Sequence, residues 1–422
     1  MNTGTGVKPR RLGRWVRPAA MFAFLGPGLI AANAGNDAGG IATYSSAGAQ
    51  YAYKPLFLAV IITLMLIVVQ EMAARVGTFG GGGIMALVRE QFSLRIGAFA
   101  VFCILVANLG LVVSEFAGIG AALELFGVSR YISVPISALI LIGVVVFGSY
   151  RWAERIFLTF ALAFLAYPFA MILSNPNWGE VVKNAAIPHF VGSKAFLLMA
   201  IALVGTTITP YMQLYQAAAV ADSGAGPEDY PRVRNDAVGG AIIAGLIFIC
   251  ILIATAATIG GTGPLDSAAQ AARALEPVAG AGAEVLFGIG LLGASALAAA
   301  VVPLSTAYGL AEAVGAERSV SRRFSEAPLF LGLFVAQVVI GALVALTPVN
   351  LFALLIGMQI LNGLITPIIL GFLYVLSNRS SVVGDAVSSP LNKAISMLCV
   401  VVVSTLAVVV VGVTVGGWFG IV

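Results

Sequence analysis

Long apolar segments recur along almost the whole chain, and they constrain its fold more than any other feature. About 20 apolar residues in a helix span the hydrocarbon core of a membrane. With 60% hydrophobic and only 9% charged residues, the chain is an all-α, multi-pass membrane protein by prediction. Eleven such segments can be delimited in the sequence, at 20–50, 54–76, 92–126, 131–150, 153–174, 194–220, 237–260, 279–314, 327–346, 349–377 and 392–420.

The distribution of basic residues predicts how these segments are oriented. If the N-terminus is cytoplasmic, 17 of the 22 Lys and Arg residues fall in inside loops. Such an excess marks the cytoplasmic side. The basic leader runs directly into a segment too long and too rich in glycine for a signal peptide. We therefore expect a protein of the plasma membrane with its N-terminus inside and its C-terminus outside.

The first segment carries a single acidic residue, Asp37. A carboxylate at membrane depth costs roughly 3 kcal/mol or more, so it usually serves an ion path, a proton relay or a partner charge. Gly35, Gly39 and Gly40 lie beside it and weaken the helix. Non-helical backbone is tolerated at that depth where it is buried or lines a wet cavity. The pattern favours a cation site, and the alternative for Asp37 is a structural acid paired with a helix N-terminus. Gly39 and Gly40 could also serve close helix packing, which is compatible with such a site.

The sixth segment contains a second interruption. Gly205, three threonines and Pro210 occur within six residues, and proline removes a backbone donor and clashes with the preceding turn. Pro210 alone could be an ordinary kink, but two interrupted helices at corresponding places in two halves point to a transporter site at the membrane midplane. The predicted organisation is therefore an inverted five-plus-five repeat with one extra helix: a tail at 1–19, repeats at 20–174 and 194–377, and a last helix at 392–420.

At this point the chain resembles the NRAMP family of divalent-metal transporters. Gly26-Pro27-Gly28 is followed after eight residues by Asp37-Ala38-Gly39-Gly40, where the family has Asp-Pro-Gly-Asn. The resemblance implies a LeuT-type fold of eleven transmembrane helices with the first and sixth broken, a divalent metal ion as substrate, alternating access, and no cofactor. Further similar stretches are Ala107-Asn108, Glu115-Phe116-Ala117-Gly118, Pro303-Leu304-Ser305 and Gln359-Ile360-Leu361-Asn362.

Three positions depart from the family pattern. Gly40 stands where the family has an asparagine ligand, Thr209 where it has a methionine ligand, and Tyr211 where it has the histidine of a proton path. This combination is similar to the NRAMP-related magnesium transporters. Thioethers favour softer transition metals, whereas oxygen ligands suit Mg²⁺ and Mn²⁺. Mg²⁺ also keeps several of its waters when bound, so the small residue at position 40 is expected to leave room for them.

The resemblance implies a set of site residues around the two breaks. Asp37 is expected to be the charged ligand, and the carbonyls of Ala34 and Thr206 to contribute directly or through water. Thr209 and Gln359 are expected to act at longer range, although Thr209 could instead bond its own helix and Gln359 could join two helices. Residues expected to break or gate the helices are Gly39, Gly205, Pro210 and Tyr211.

Glu115 is the other acidic residue well inside a span, and its position in the family is associated with proton transfer. A relay needs a partner that titrates near neutral pH, and histidine is the natural one. The single histidine, His189, lies in a predicted outside loop. We therefore expect metal movement that is not coupled to protons. The alternatives are a residual proton role for Glu115 or a neutral side chain bonded to its surroundings.

Other classes of function fit the chain less well. The sequence lacks the zincin, nucleophile-elbow and phosphate-loop patterns, so an enzyme is not expected. The alternatives to a facilitated Mg²⁺ transporter are a proton-coupled Mn²⁺ or Fe²⁺ transporter and a LeuT-type carrier of small organic solutes. Nothing indicates a nucleic-acid partner or a subunit ring, so we expect a monomer in the bilayer.

Three shorter features complete the sequence analysis. The widely spaced cysteines Cys103, Cys250 and Cys399 are expected to be packing residues. Two mixed stretches, 84–92 and 267–276, are expected to form short amphipathic helices at the two surfaces. Two local ion pairs are expected, Glu71 with Arg75 and Glu154 with Arg155.

Overall fold

A computed structural model describes residues 35–146, 165–189, 191–315 and 327–418 of the chain. Within these ranges the chain is helical and forms no strand. The α-helices, in chain order, are α1 Ala38–Tyr51, α2 Leu56–Gly80, α3 Ile84–Gln91, α4 Leu94–Glu124, α5 Arg130–Val146, α6 Ala166–Leu173, α7 Trp178–Ala186, α8 Lys194–Thr207, α9 Pro210–Asp222, α10 Tyr230–Ile259, α11 Ala268–Ala272, α12 Glu276–Ala279, α13 Ala283–Val314, α14 Pro328–Ala345, α15 Leu351–Ser377, α16 Ser380–Val383 and α17 Pro390–Trp418.

The described helices include eight stretches long and apolar enough to cross a membrane, and Arg130–Val146 is a shorter apolar helix. This confirms a multi-pass membrane protein. The helices α2, α4, α14, α15 and α17 begin and end within a few residues of the predicted spans. The tail at 1–19, residues 20–34 of the first predicted span and part of the fifth lie outside the described residues.

The predicted seventh span, 237–260, covers only part of a longer helix. Helix α10 begins at Tyr230, seven residues earlier. Pro231 fits the first turn of a helix, where the missing N–H would have no partner anyway. The hydropathy pattern found only the apolar part of α10, because its first turns are polar.

Polar side chains fix the starts of several long helices. Ser193 accepts a hydrogen bond from the Phe196 amide at 3.2 Å, and Asn350 accepts one from the Ala353 amide at 2.9 Å. A side-chain oxygen at this position satisfies one of the amides that a helix leaves unpaired in its first turn. These caps place the helix boundaries at the edges of the apolar segments, where the hydropathy pattern also puts them.

Helices that are equivalent in the two predicted repeats pack against each other. The second helix of each repeat forms one pair, α2 with α10, and the third helices form another, α4 with α13. The α2–α10 contact is close, because a Cβ at Gly245 would overlap the side chain of Thr63. Such contacts through small residues are typical of helix packing in membranes. This is the arrangement that two inverted halves related by a two-fold axis produce.

Two short surface segments were predicted as amphipathic helices. The first is confirmed as α3, which buries Ile84, Leu87 and Val88 and exposes its charged end. The second is not one helix. Residues 267–276 form α11 and a 3₁₀ turn before α12 starts at Glu276, because Pro277 follows immediately and cannot continue a preceding helix.

Residues predicted on the same side of the membrane come together. Arg89 donates to the Glu312 carbonyl at 3.0 Å, and Arg379 donates to the Gln91 carbonyl at 2.9 Å. At the opposite end of α4, Arg130 pairs with Glu124 at 3.0 Å. The chain therefore alternates between two faces as the sequence predicts, and which face is cytoplasmic stays a prediction.

The structure also bears on the predictions for the cysteines and for the two ion pairs. All three cysteines are buried and free, as expected of packing residues. Glu71 and Arg75 form the predicted ion pair at 2.9 Å. The second predicted pair, Glu154 with Arg155, lies outside the described residues.

Candidate functional site

Asp37 caps the N-terminus of α1, and residues 20–34, on the other side of the first predicted break, lie outside the described residues. Its Oδ1 accepts a hydrogen bond from the Gly40 amide at 2.7 Å. The side chain is buried, and Oδ2 has no hydrogen-bond partner. The positive end of the helix dipole favours a carboxylate at this position. One oxygen of Asp37 is thus fixed by the helix, and the other remains able to bind a ligand.

Of the two roles predicted for Gly39 and Gly40, the structure shows close packing and not unwinding of the helix. Gly39 and Gly40 lie inside the first turn of α1. A Cβ at Gly39 would overlap the Gln359 amide and come within 2.8 Å of Ser114 Oγ. A Cβ at Gly40 would lie 2.9 Å from Thr206 Oγ1 and 3.2 Å from Asp37 Oδ1. Because these glycines have no side chain, the neighbouring side chains can lie close to the backbone beside Asp37.

The second break separates α8 from α9. Helix α8 ends at Thr207 and α9 begins at Pro210. Ile208 and Thr209 lie between them, and the backbone of Thr209 is extended. Because a proline has no N–H, Pro210 cannot donate to the carbonyl of Thr206, four residues earlier. The C-terminal end of a helix also carries partial negative charge. The end of α8 therefore presents carbonyl oxygens that favour a cation.

Helix α15 holds the end of α8 in place. Asn362 donates to the Gly205 carbonyl at 2.6 Å, and Thr366 contacts the Ile208 carbonyl at 3.4 Å. Gly205 was predicted to break the helix, but it lies within α8. A Cβ there would overlap the backbone of Gln359 and Gly363, so Gly205 permits two helices to approach and does not itself form the break.

Helix α4 brings Glu115 to the same centre. The residue is completely buried, and neither carboxylate oxygen has a hydrogen-bond partner. Its side chain interacts electrostatically with Asp37 and faces the backbone amide of Ala38. One turn further along α4, a Cβ at Gly118 would overlap the Ala38 side chain. The two acidic residues that the sequence placed in different spans are therefore neighbours.

Two tyrosines also lie in this region, and only one of them was predicted from the sequence. Tyr211, on α9, lies near Asp37 and Glu115. Tyr44, on α1, was missed. Its hydroxyl bonds to Thr207 Oγ1 at 3.0 Å, and its ring stacks on Phe248 at 4.1 Å between centroids. Its position seven residues after Asp37 puts it on the same face of α1, which is the signal that could have identified it.

The remaining predicted site residues have different outcomes. The amide of Gln359 lies against Gly39, and its nitrogen and oxygen have no hydrogen-bond partner. Thr209 occupies the N-cap position of α9, where its buried hydroxyl makes no capping bond. Ala34 lies outside the described residues. Gln359 therefore contacts the first turn of α1, two residues after Asp37. The Thr209 hydroxyl lies at the second break without a hydrogen-bond partner.

Buried oxygen atoms without partners are the main chemical property of the site. They belong to Asp37, Glu115, Ser114, Thr206, Thr209 and Gln359. Buried polar atoms usually have partners, so such a group is typical of a place that takes up a ligand. Among the described residues, no three His, Cys, Asp or Glu side chains come together as a metal cluster. The arrangement suits a cation bound by a few protein oxygens and by water.

A cavity of about 370 Å³ lies between α9 and α13. It begins one turn beyond Tyr211, at Leu214 and Tyr215, and extends to the end of α9 at Asp222. On the α13 side it reaches Ser305 and Glu312. The cavity leads from the level of the second break toward the face where α9 and α13 end.

Comparison with known proteins agrees with this architecture. A divalent metal cation transporter MntH of Ralstonia nicotianae (strain ATCC BAA-1114 / GMI1000) is 33% identical over 296 residues, which is 65% of this chain and 65% of that protein. A protein of the same name from Agrobacterium fabrum (strain C58 / ATCC 33970) is 29% identical over 289 residues, 64% of this chain and 62% of the relative. The chain thus spans just under two thirds of the length of each of these relatives.

The solved structures show the same fold. A manganese transporter of Eremococcus coleocola, crystallised with an aromatic bis-isothiourea compound, aligns with a TM-score of 0.77 at 21% identity. The alignment covers 95% of this chain and 88% of that one. The LeuT-type fold expected from the sequence is therefore confirmed.

A family model provides the broadest match. The model described as "Natural resistance-associated macrophage protein-like" matches residues 28–412. This range includes both breaks, the acidic residues beside them and most of the described helices. The chain belongs to the Nramp family.

Proposed function

We propose that this protein is a secondary transporter that moves divalent metal ions, with a preference for Mg²⁺ and with Mn²⁺ as a second substrate. The observation that carries the proposal is the group of unpartnered oxygen atoms around Asp37. Asp37 would bind the ion through Oδ2, and the Thr206 carbonyl would contribute across the two breaks. Both relatives named above are divalent metal cation transporters, which supports the class of substrate.

The chemistry of these atoms supports the preference for Mg²⁺. The side chains of Thr206 and Thr209 present hydroxyl oxygens at the second break, and Gln359 adds a carboxamide. Oxygen ligands suit hard cations. Mg²⁺ gives up water reluctantly and is usually held through one or two carboxylates. Carboxylate, carboxamide and hydroxyl groups can all bind the ion's water molecules, so the ion would stay partly hydrated in the site.

The surroundings of the two acidic residues support movement without obligatory proton transfer. Tyr211 interacts electrostatically with Asp37 and Glu115, and an ordinary tyrosine hydroxyl titrates near pH 10. It cannot exchange protons near neutral pH as a histidine does. Transport would then follow the metal gradient and the membrane potential, and alternating access would proceed by rocking of one helix bundle against the other.

One observation favours a second candidate, a proton-coupled Mn²⁺ transporter. Glu115 lies next to Asp37 with both oxygens unpartnered, and two neighbouring acids can share a proton. The similar structure from Eremococcus coleocola is that of a manganese transporter. In this case Glu115 would accept the proton that the metal displaces.

Uptake into proteoliposomes separates the two candidates. Mg²⁺ entry is measured with a lumenal metal indicator, Mn²⁺ is added as competitor, and a lumenal dye records pH. Saturable Mg²⁺ entry without metal-driven acidification supports the proposal. Mn²⁺ entry with acidification, together with no entry of Mg²⁺, would establish the second candidate. The expected orientation, with the N-terminus inside the cell, can be tested by labelling cysteines introduced at the ends.

A further inference from the structure

Three glutamine side chains away from the ion site have no partner in the protein. Gln70 lies on α2, and Gln213 and Gln216 lie on α9. All three are completely buried. Neither the nitrogen nor the oxygen of any of the three carboxamides makes a hydrogen bond. The site described above uses none of these groups.

Helices α2 and α9 run side by side in the same direction. Near the start of α2, the rings of Tyr51 and Phe196 are in contact, with centroids 5.0 Å apart. Near its end, a Cβ at Gly77 would lie 3.0 Å from both Ala217 Cα and Val220 Cβ. Tyr51 ends α1 just before α2, and both α8 and α9 contact α2, so the two segments run in the same direction.

This register places the glutamines on facing surfaces. Gln70 precedes Gly77 by two turns, and Gln213 precedes Ala217 by one turn, so both lie on the surfaces where α2 and α9 touch. Counting back equally from Gly77 and Ala217 puts Gln70 at the level of Pro210. Gln216 lies one turn before Val220, at the flank of the same surface. We call these three side chains the amide seam.

The amide seam is separate from the cavity beside α9. The cavity is lined by Leu214, Tyr215 and Ala218, which lie on the opposite face of α9 from Gln213 and Ala217. The seam is thus enclosed between two helices, whereas the cavity opens between α9 and α13. Water that enters the cavity therefore does not reach the amide seam by the same path.

Unpartnered carboxamides inside a membrane protein carry a large free-energy cost. No lipid or apolar side chain can satisfy them, and the bilayer core supplies no bulk water. Enclosed polar sites of this kind are normally completed by ordered water molecules, each bonded to several protein groups. Three carboxamides offer both donors and acceptors, as bound water requires.

We propose that the amide seam binds a row of ordered water molecules between α2 and α9, beginning at the level of the second break. Gln70 would hold the water nearest to Pro210, and Gln213 and Gln216 would hold the next molecules along α9. Water at this level adjoins the broken backbone of Thr206 to Pro210, so it can hydrate the ion's surroundings without crossing the apolar core.

This hydration also has a consequence for transport, which rests on the proposed function. A strongly hydrated ion needs water close by as it leaves its ligands. Replacing Gln213 by leucine, which removes the seam's central water ligand, is expected to slow Mg²⁺ entry more than Mn²⁺ entry. The existence of the bound water does not depend on which ion moves.

Oxidation by X-ray radiolysis of water tests the seam directly, with the full-length protein in lipid nanodiscs free of divalent metal. Gln70→Met and Gln213→Met each put a reactive sulfur at the seam and leave the other two amides in place. Leu331→Met is the matched control, because Leu331 on α14 is completely buried among apolar side chains and offers no polar group to water. Met72, completely buried on α2, is an internal reference.

The methionines at positions 70 and 213 are expected to oxidise several-fold faster than Met72 and the methionine at position 331. Equal rates at all four positions would overturn the proposal. If a seam variant does not fold, a density map of the wild-type protein that resolves ordered water decides the question. Density between α2 and α9 supports the seam, and a dry interface refutes it. Neither result depends on Mg²⁺ transport, so failure of the seam and failure of the proposed function remain distinguishable.

Discussion

At the scale of single residues, the site owes its properties to atoms that lack partners and to glycines that let them come close. Asp37 keeps Oδ1 on the Gly40 amide and leaves Oδ2 unpartnered. Gly39 gives Gln359 its place beside the first turn of α1. The selectivity proposed above depends on the chemical type of these atoms, and the site's shape depends on the glycines. Each can be tested separately.

Ligand hardness is tested by the double substitution Gly40→Asn with Thr209→Met. It adds a carboxamide and a thioether, and a thioether favours softer metals. The ratio of Mn²⁺ to Mg²⁺ uptake in proteoliposomes is expected to rise by about tenfold, which corresponds to roughly 1.4 kcal/mol. The control Thr209→Ser keeps the hydroxyl and should leave the ratio unchanged. An unchanged ratio in the double variant would show that ligand hardness does not set selectivity.

Close approach at the first break is tested by Gly39→Ala. The added methyl group would overlap the Gln359 amide, so we expect loss of uptake and a stability lower by about 1–3 kcal/mol. Gly143→Ala is the matched control, since a Cβ there meets nothing within 4 Å, and alanine in a helix is favoured by about 0.5–1 kcal/mol. Uptake and thermal unfolding are measured for both. Normal uptake by Gly39→Ala would contradict the described packing.

At the scale of helices, one buried ion pair connects three parts of the chain. Arg75 on α2 pairs with Glu71 at 2.9 Å and donates to Ser388 Oγ at 2.5 Å in the connection before α17. The Tyr230 hydroxyl at the start of α10 donates to the same glutamate. The ends of α2, α10 and this connection are therefore held together by one charged network near the membrane surface.

Removing the cation from this network should be costly. Arg75→Met leaves Glu71 partly buried without its partner, and breaking such a pair typically costs about 3–5 kcal/mol. The control Lys183→Met removes an exposed partner of Glu180, where the pair at 3.9 Å is worth about 0–1 kcal/mol. Thermal unfolding in detergent compares the two. Equal effects of both substitutions would mean that the Arg75 network does not stabilise the fold.

At the scale of the whole molecule, the sequence determined the helices better than the contacts between them. Hydropathy located the spans because a bilayer imposes one helix length. Pro210 located the second break because proline lacks a donor. Gly205 was assigned to a break wrongly, and of the two roles predicted for Gly39 only close packing is observed, because glycine serves both unwinding and close packing. Tyr44 was missed because its partner, Thr207, is 163 residues away.

The contact between Asp37 and Glu115 is another feature that the sequence did not predict. Each was recognised as a buried acid in its own span, because charges in apolar segments are conspicuous. Their contact depends on how α4 packs against the start of α1, where Gly118 accommodates Ala38. Helix packing of this kind follows from the shapes of two distant segments, which periodicity within either one does not encode.

The most direct test of the central claim is the initial rate of Mg²⁺ entry into proteoliposomes, measured against Mg²⁺ concentration for the wild-type protein and for Asp37→Asn. Asp266→Asn, at an exposed position, is the control. We predict saturable entry for the wild-type protein and the control, and only the background rate for Asp37→Asn. Saturable Mg²⁺ entry through Asp37→Asn at the wild-type rate would contradict a site centred on Asp37.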